Sequence, residues 1–427
     1  MNKLIYIISI IGFVTFFSCN KRDQVNPTVS MSKPLTASSY AHLEVISVEG
    51  VASDETRLKR VKVELLDVNF NGVGISEEIK VSGTSENFTF QLYLDDIHLV
   101  SGTMYVKVTV TDRADNTAST WKQITYSEVP LALKDIYVVS SGQSAFYNLY
   151  KVSGSTTQFA STLSGSFQDL LCNSYEQQII LSGGSVGNLK ALEPDFYSEI
   201  WEKTPNSTLL PYYTNLQLHG NGQTVLVSSE EPAVRSYNKT GGQGNSVILS
   251  GTQRPNEILQ MGTHTFVESV YPGGRDLTLF YSNTGAIFHT KIWQNDIAKM
   301  RPKDDEEIYV FSNGAGVCFM DIYNIDQNAT YSLINLPSGA VNDVCSISGN
   351  ELFIAHSSGI LKYTYSNNSL VTIVSGLNAG VIKYDPVGNR ILAAAGNEIR
   401  SYDVFGAFIE AYNHSSLILD FGLFYNK

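Results

Sequence analysis

Asp67, Asn69, Asn71 and Glu78 occupy positions 1, 3, 5 and 12 of the stretch "DVNFNGVGISEE". That is the spacing of a twelve-residue calcium loop, where hard side-chain oxygens early in the turn meet a bidentate carboxylate at its end. The flanks are wrong for helices. Val61, Val63 and Leu65 alternate with Arg60, Lys62 and Glu64 ahead of the loop, and "ISEEIKVSG" leaves it as a second extended run. Gly74 takes position 8, where an aliphatic residue is usual, and Asn71-Gly72 is a tight-turn pair. Two readings stay open: a turn between strands, or a weak Ca2+ clasp on a non-helical loop.

A second set of oxygen-bearing side chains recurs along the chain: Asp169, Asn215, Asn256 beside Glu257, Asp296, Asp343 and Asp420. Each stands just ahead of a short apolar run. Brought together, such a ring offers oxygens to a cation, a sugar or a basic peptide. Held apart, each caps its own loop through nearby backbone N–H groups. The remaining candidates are weaker. "GGSVG" (Gly183–Gly187) spells a nucleophile elbow but lies between strands, without the helix that would expose its serine. The seven histidines show no HExxH or His-x-His spacing, although His219, His264 and His356 fall on strands or turns near the ring. Cys172, Cys318 and Cys345 have no metal-type spacing and read as small buried hydrophobes. No catalytic residue is assigned.

The ring residues can converge only if the chain repeats, and it does. Short apolar strands ending in a small or polar residue recur as "IYVVSS", "IILSGG", "TVLVSS", "HTFVES", "EIYVFSN", "LFIAHS" and "ILAAAG". Their ends, from Ser140 through Ser182, Ser228, Ser269, Ser312 and His356 to Ala395, are 39 to 46 residues apart. That is the period of a four-stranded propeller blade. The first copy lacks an innermost strand, and "LILDFGLFYNK" at the C-terminus supplies one. The spacing predicts a seven-bladed β-propeller over residues 130–427, closed by the C-terminal strand so that no free edge is left. Its repeats are similar in general character to YVTN, NHL and Kelch propellers, with no Trp-Asp signature.

Residues 39–129 alternate instead in period two, as in "RVKVELLDV", "NFTFQLYL" and "MYVKVTV", with turns at Gly, Asn and Asp. This predicts a small antiparallel sandwich. The segment "VTVTDRADNTA" resembles the closing hairpin of immunoglobulin-like, fibronectin-like and cadherin-like modules, which implies an immunoglobulin-like fold. The fold class expected is therefore all-β.

Bulk composition narrows the partners. Lys and Arg total 29 against 41 Asp and Glu, a net charge of −12, and no basic run occurs, which excludes nucleic acid. At the start, Lys3 precedes the apolar stretch Leu4–Phe17, too short to span a bilayer as an ordinary helix. It ends in Ser18-Cys19 and the polar "NKRDQVNP". This resembles the lipobox of bacterial lipoproteins, with Phe16 and Phe17 departing from its usual residues. The resemblance implies a signal peptide over 1–18, acylation of Cys19, and a membrane anchor of several acyl chains. Residues 19–38, rich in Ser, Thr and Pro, then read as a flexible tether.

Taken together, the layout resembles surface lipoproteins of the Bacteroidota. It implies an outer-membrane protein, lipid-anchored and facing outward, that binds or scaffolds without catalysis as an accessory subunit of a transport, secretion or assembly complex. The competing expectation is a glycan-binding or glycan-cleaving lipoprotein that uses the propeller channel, with the ring Asp169, Asn215, Asn256, Asp296, Asp343 and Asp420 as the contact site.

Overall fold

The computed structural model describes residues 23–142, 146–184, 187–205, 212–219 and 222–427. The described chain is all-β; a single 3-10 turn, Tyr365–Asn367, is the one helical element among these residues. It divides into two compact units, one ending at Pro130 and the other running from Leu131 to Lys427. Cys19 and the expected signal peptide lie outside the described residues.

The first unit is a pair of sheets. Three antiparallel strands, Thr28–Lys33, Val45–Ser53 and Ser85–Tyr93, form one; the other has the order Ser38–Ala41, Thr117–Ser127, Gly102–Asp112, Leu58–Leu66, Gly72–Lys80. Alternation produces the core. In Leu58–Leu66 the side chains of Val61, Val63 and Leu65 are fully buried, while those between them face outward. They meet Ile46, Val48, Phe88 and Phe90 from the opposite sheet.

One expectation is corrected here. Residues 28–33 are not tether. Thr28–Lys33 pairs with Val45–Ser53 and buries Met31 in the core. A polar strand that inserts one apolar side chain shows no periodicity, so it passes for a linker in the sequence.

The second unit is built from seven antiparallel groups of four strands. Six are continuous in sequence, beginning at Phe167–Asn173, Tyr213–His219, Arg254–Met261, Asp296–Pro302, Val341–Ser348 and Val381–Asp385. The seventh joins the two ends of the unit: the C-terminal strand Ile418–Tyr425 pairs with Leu133–Ser141, which is followed by Phe146–Ser153 and Thr156–Ser164. A single parallel bridge, Thr156 to Asn413, links this group to its predecessor into an eight-stranded sheet. Each first strand lies beside the first strand of the following group, and Ile418–Tyr425 lies beside both Val381–Asp385 and Phe167–Asn173. The second strands are apolar on both faces; every residue of Gln178–Gly183 is buried. Separate apolar clusters fill the spaces between neighbouring groups, such as Tyr309, Leu352 and Tyr363 in one seam and Phe353, Ile382 and Tyr402 in the next.

Candidate functional site

The first strand of most groups carries a β-bulge near its start, and the bulge decides what points inward. Register shifts fall between Phe167 and Asp169, Tyr213 and Asn215, Pro255 and Ile258, Ile297 and Lys299, Val341 and Asp343, and Ile418 and Asp420. The extra residue re-aims the one that follows it. Opposite each bulge is the small or polar end of the second strand, and Ser140, Ser182, Ser228, Ser269, Ser312 and His356 are all fully buried there. The equivalent positions are thus Asp169, Asn215, Glu257, Lys299, Asp343 and Asp420. Two expected members are corrected. Glu257, not Asn256, holds the third position, and Lys299, not Asp296, the fourth. Asp296 opens its strand with a side chain 61% exposed, paired with Arg275. Counting by alternation misplaces these residues because a bulge breaks the period.

Four of the six expected residues, Asp169, Asn215, Asn256 and Asp296, line one open cavity of ≈ 720 Å3, together with Glu257 and Lys299. Its rim is rich in amides: Gln168, Asn313, Asn342 and Asn378. Asp343 and Asp420 are buried and are not part of that lining.

The side chains at this end stitch neighbouring groups together. Asp169 accepts the N–H of Leu170 at 2.8 Å and, from the next group, that of Leu216 at 2.7 Å. Asp343 does the same with Val344 at 2.9 Å and Ile382 at 3.0 Å. Asn215 donates to Glu257 at 2.8 Å, and Glu257 pairs with Lys299 at 3.2 Å. Asn313 both donates to the carbonyl of Val341 and accepts its N–H, each at 2.9 Å. Fully buried Glu268 takes the N–H of Ile297 at 3.0 Å, Asn256 at 2.7 Å and Arg275 at 2.7 Å. Asp169 and Asp343 thus each cap two backbone donors, one in their own strand and one across the seam in the next group.

Three cations share this space: Lys299, Arg301 and Lys383. Arg301 reaches Asp343 at 3.5 Å. Burial alone would raise the Asp343 carboxyl, but Lys383, Lys299 and Arg301, with the Ile382 N–H, hold it below the usual range. Burial raises Asp169 against the opposing pull of Lys299 and the Leu216 N–H. Asp420 is pushed up to about 7 by burial, with the negative charges of Asp169 and Asp343 adding to it against the pull of Lys383. Burial works against the Lys383 charge, yet Asp420 and Asp343 outweigh it and raise its pKa. The sequence reading sought oxygens and so missed these cations and Glu268. An acid in the buried strand "HTFVESVY" is itself the signal that a partner must lie opposite.

The histidines stay apart from this site. His356 is buried with Nδ1 accepting the Ser358 N–H at 3.1 Å, His264 packs on Tyr281 and Phe288, and His219 lines a different cavity. Cys318 and Cys345 are buried and Cys172 is half-buried, all as free thiols. Ser185 of "GGSVG" lies outside the described residues.

The loop at Asp67 is a hydrogen-bonded turn. Asp67 Oδ1 accepts the N–H groups of Asn69 and Asn71, each at 2.8 Å, and Oδ2 accepts the Asn71 amide at 3.3 Å. Those bonds, led by the Asn71 N–H, hold the Asp67 carboxyl below its ordinary pKa. Glu78 sits opposite Lys62, whereas Gly72 sits opposite Leu66. Six residues of extended strand separate Glu78 from the turn, roughly 20 Å, and it pairs with Arg60 at 3.5 Å. The Ca2+ clasp is therefore corrected: Asp67, Asn69, Asn71 and Glu78 cannot meet at one ion. Asp67→Ala is expected to loosen the turn equally with and without millimolar calcium; a calcium-dependent melting shift that Asp67→Ala abolishes would restore the clasp. The sequence reading also missed a convergence of Asp23, Asp54 and Asp112, whose carboxylate oxygens lie within 4.8 Å of one another. All three accept hydrogen bonds: Asp112 from Ala114 and Asn116 and Asp54 from Thr56 within their turns, and Asp23 from the distant Thr56 hydroxyl.

No protein-family model matches this chain, and no curated protein does. Among solved structures it is similar to the computationally designed Ika8 protein, at 11% identity and a TM-score of 0.47, over 66% of this chain and 88% of that one.

Proposed function

We propose that this chain is a non-enzymatic binding or scaffold protein: an immunoglobulin-like sandwich followed by a seven-bladed β-propeller. In this reading acylated Cys19 holds it to the outer membrane facing outward, as an accessory subunit of a transport, secretion or assembly complex. The seven four-stranded groups, with first strands following one another around, support the propeller; the two packed antiparallel sheets support the sandwich. The lipobox-like N-terminus and the Bacteroidota-like layout support the address.

The observation that carries the non-enzymatic reading is the engagement of the acids at the ring. A general acid or base must reach a substrate proton. Asp169 and Asp343 each spend one oxygen on an N–H of their own strand and the other on an N–H across a seam, and Glu257 is bound by Asn215 and Lys299. Asp420, which has the raised pKa most suggestive of a general acid, does not line the cavity. What the mouth presents is a rim of amides suited to contact.

Affinity purification from detergent-solubilised membranes is expected to bring down a membrane complex in fixed stoichiometry. Cys19→Ser is expected to move the chain to the soluble fraction. A lone monomer that degrades a glycan would overturn the scaffold reading, and a Cys19→Ser protein still pelleting with membranes would overturn the anchor.

A further inference from the structure

The same turn that fails as a calcium loop presents an aromatic side chain in an unusual way. Phe70 has φ +63°, a left-handed conformation that is costly for a bulky residue. The residue is nevertheless 55% exposed, so core burial does not repay that cost. Its ring lies flat on Tyr105, centroids 4.5 Å apart and planes at 19°, and meets Trp121 edge-on at 6.4 Å. Trp121 is 57% exposed, whereas Trp201 and Trp293 are 7% and 8% exposed. Three rings from a loop and two strands thus form one solvent-facing platform on the five-stranded sheet.

The surroundings identify an occupant. Register places Lys107 beside Trp121, Gln123 beside Tyr105, and Glu64 beside Lys107 on the same face. Hydrogen-bonding side chains therefore flank the rings. The accessible ring surface sums to roughly 300 Å2, far below the about 800 Å2 a side that a stable protein interface buries. A sugar ring meets both features: its C–H face lies on an aromatic ring, and its hydroxyls reach outward to amide, ammonium and carboxylate groups. The Asp67–Val73 segment that carries Phe70 also lines a cavity of ≈ 530 Å3, together with Asp96, Leu99, Val100 and Met104 among others. That is within the usual size of a small-ligand site.

We infer that Phe70, Tyr105 and Trp121 form a carbohydrate-binding platform that stacks the pyranose rings of a polysaccharide, with the cleft lined by the same segment taking a flanking sugar. This deepens the non-catalytic binding reading by giving the N-terminal unit a ligand class, and it does not depend on which complex the chain joins.

Because Trp121 is the exposed one of the three tryptophans, emission of the full purified chain reports on the platform directly. Titration with soluble β-glucan, xylan, galactomannan and amylopectin is expected to shift that emission with at least one of the four, and to retard the protein in a gel containing it. Trp121→Ala should weaken retardation about tenfold or more. Phe70→Gly keeps the left-handed turn while removing the ring, so it should fold normally and bind several-fold more weakly. No response to any of the four polysaccharides overturns the platform, as does unchanged retardation of a folded Trp121→Ala protein. Concentration-dependent dimerisation lost in Trp121→Ala would instead make a second copy the occupant and also overturns it. Failure here leaves a co-purifying membrane complex untouched, so the two readings fail separately.

Discussion

Asp343→Asn is expected to destabilise the C-terminal unit by about 3–5 kcal/mol, the range for breaking a buried charge network by removing one partner. Asp343 is 5% exposed, and its two oxygens accept one N–H from its own strand and one from the strand that begins the next group. Asparagine has a single acceptor oxygen. Its amide nitrogen would face either Val344 or Ile382, leaving a buried donor opposed to a donor. The same change removes the carboxylate nearest Arg301 and one of two that offset Lys383. Asp296→Asn provides the contrast: it deletes an acid 61% exposed, and exposed pairs are worth about 0–1 kcal/mol. Urea unfolding at pH 7 measures both. The seam also has a local readout, because the Ile382 amide should exchange its hydrogen faster in the variant than in the parent. If Asp343→Asn and Asp296→Asn prove equally mild, the seam does not depend on this carboxylate. The sign with acid follows from the depressed pKa. The stabilisation from ionised Asp343 is present above the unfolded value of 3.8 and is lost as pH falls through the lower folded value.

How much of this was legible in the sequence depended on whether a signal was periodic. The second strands could be found because they are buried on both faces and read as short apolar runs, as in "TVLVSS" and "EIYVFSN". Their spacing set out the groups, and the unmatched first and last strands pointed to the pairing of Ile418–Tyr425 with Leu133–Ser141 that the structure contains. The inner strands were harder to register. A bulge adds one residue where period two is being counted, so alternation does not separate Glu257 from its neighbour Asn256 and points to Asp296 in place of Lys299. Cations were overlooked because buried acids were read as ligands rather than as partners of charge. The aromatic platform left no trace at all. Phe70, Tyr105 and Trp121 are far apart in sequence, and only strand register together with a left-handed turn puts them on one face. Spacing within one segment suggested a calcium loop there, and spacing within one segment cannot distinguish a closed loop from a strand leading away.

Asp420→Asn is expected to stabilise the protein at pH 8 and to leave it nearly unchanged at pH 5. Around Asp420 the carboxyls of Asp169, Glu257 and Asp343 face Lys299, Arg301 and Lys383, three against three, so an ionised Asp420 is a fourth negative charge without a fourth cation. Burial and those negative neighbours push its carboxyl up to about 7. Between the unfolded value of 3.8 and that folded value, the native state holds a proton that the unfolded chain has lost. Unfolding free energy must therefore fall as pH rises through this window, and the full cost is present above it. At 1.36 kcal/mol per pKa unit the cost is on the order of 4 kcal/mol by pH 8. Asparagine keeps the oxygen that accepts the Phe421 N–H at 2.7 Å and carries no charge to neutralise. The variant should then melt several degrees above the parent at pH 8, with the gap closing as pH is lowered to 5 and the slope of stability against pH reduced in the same interval. A parent protein with no loss of stability from pH 5 to 8, or an Asp420→Asn variant less stable than the parent at pH 8, would mean that Lys383 keeps this carboxylate charged in the folded state.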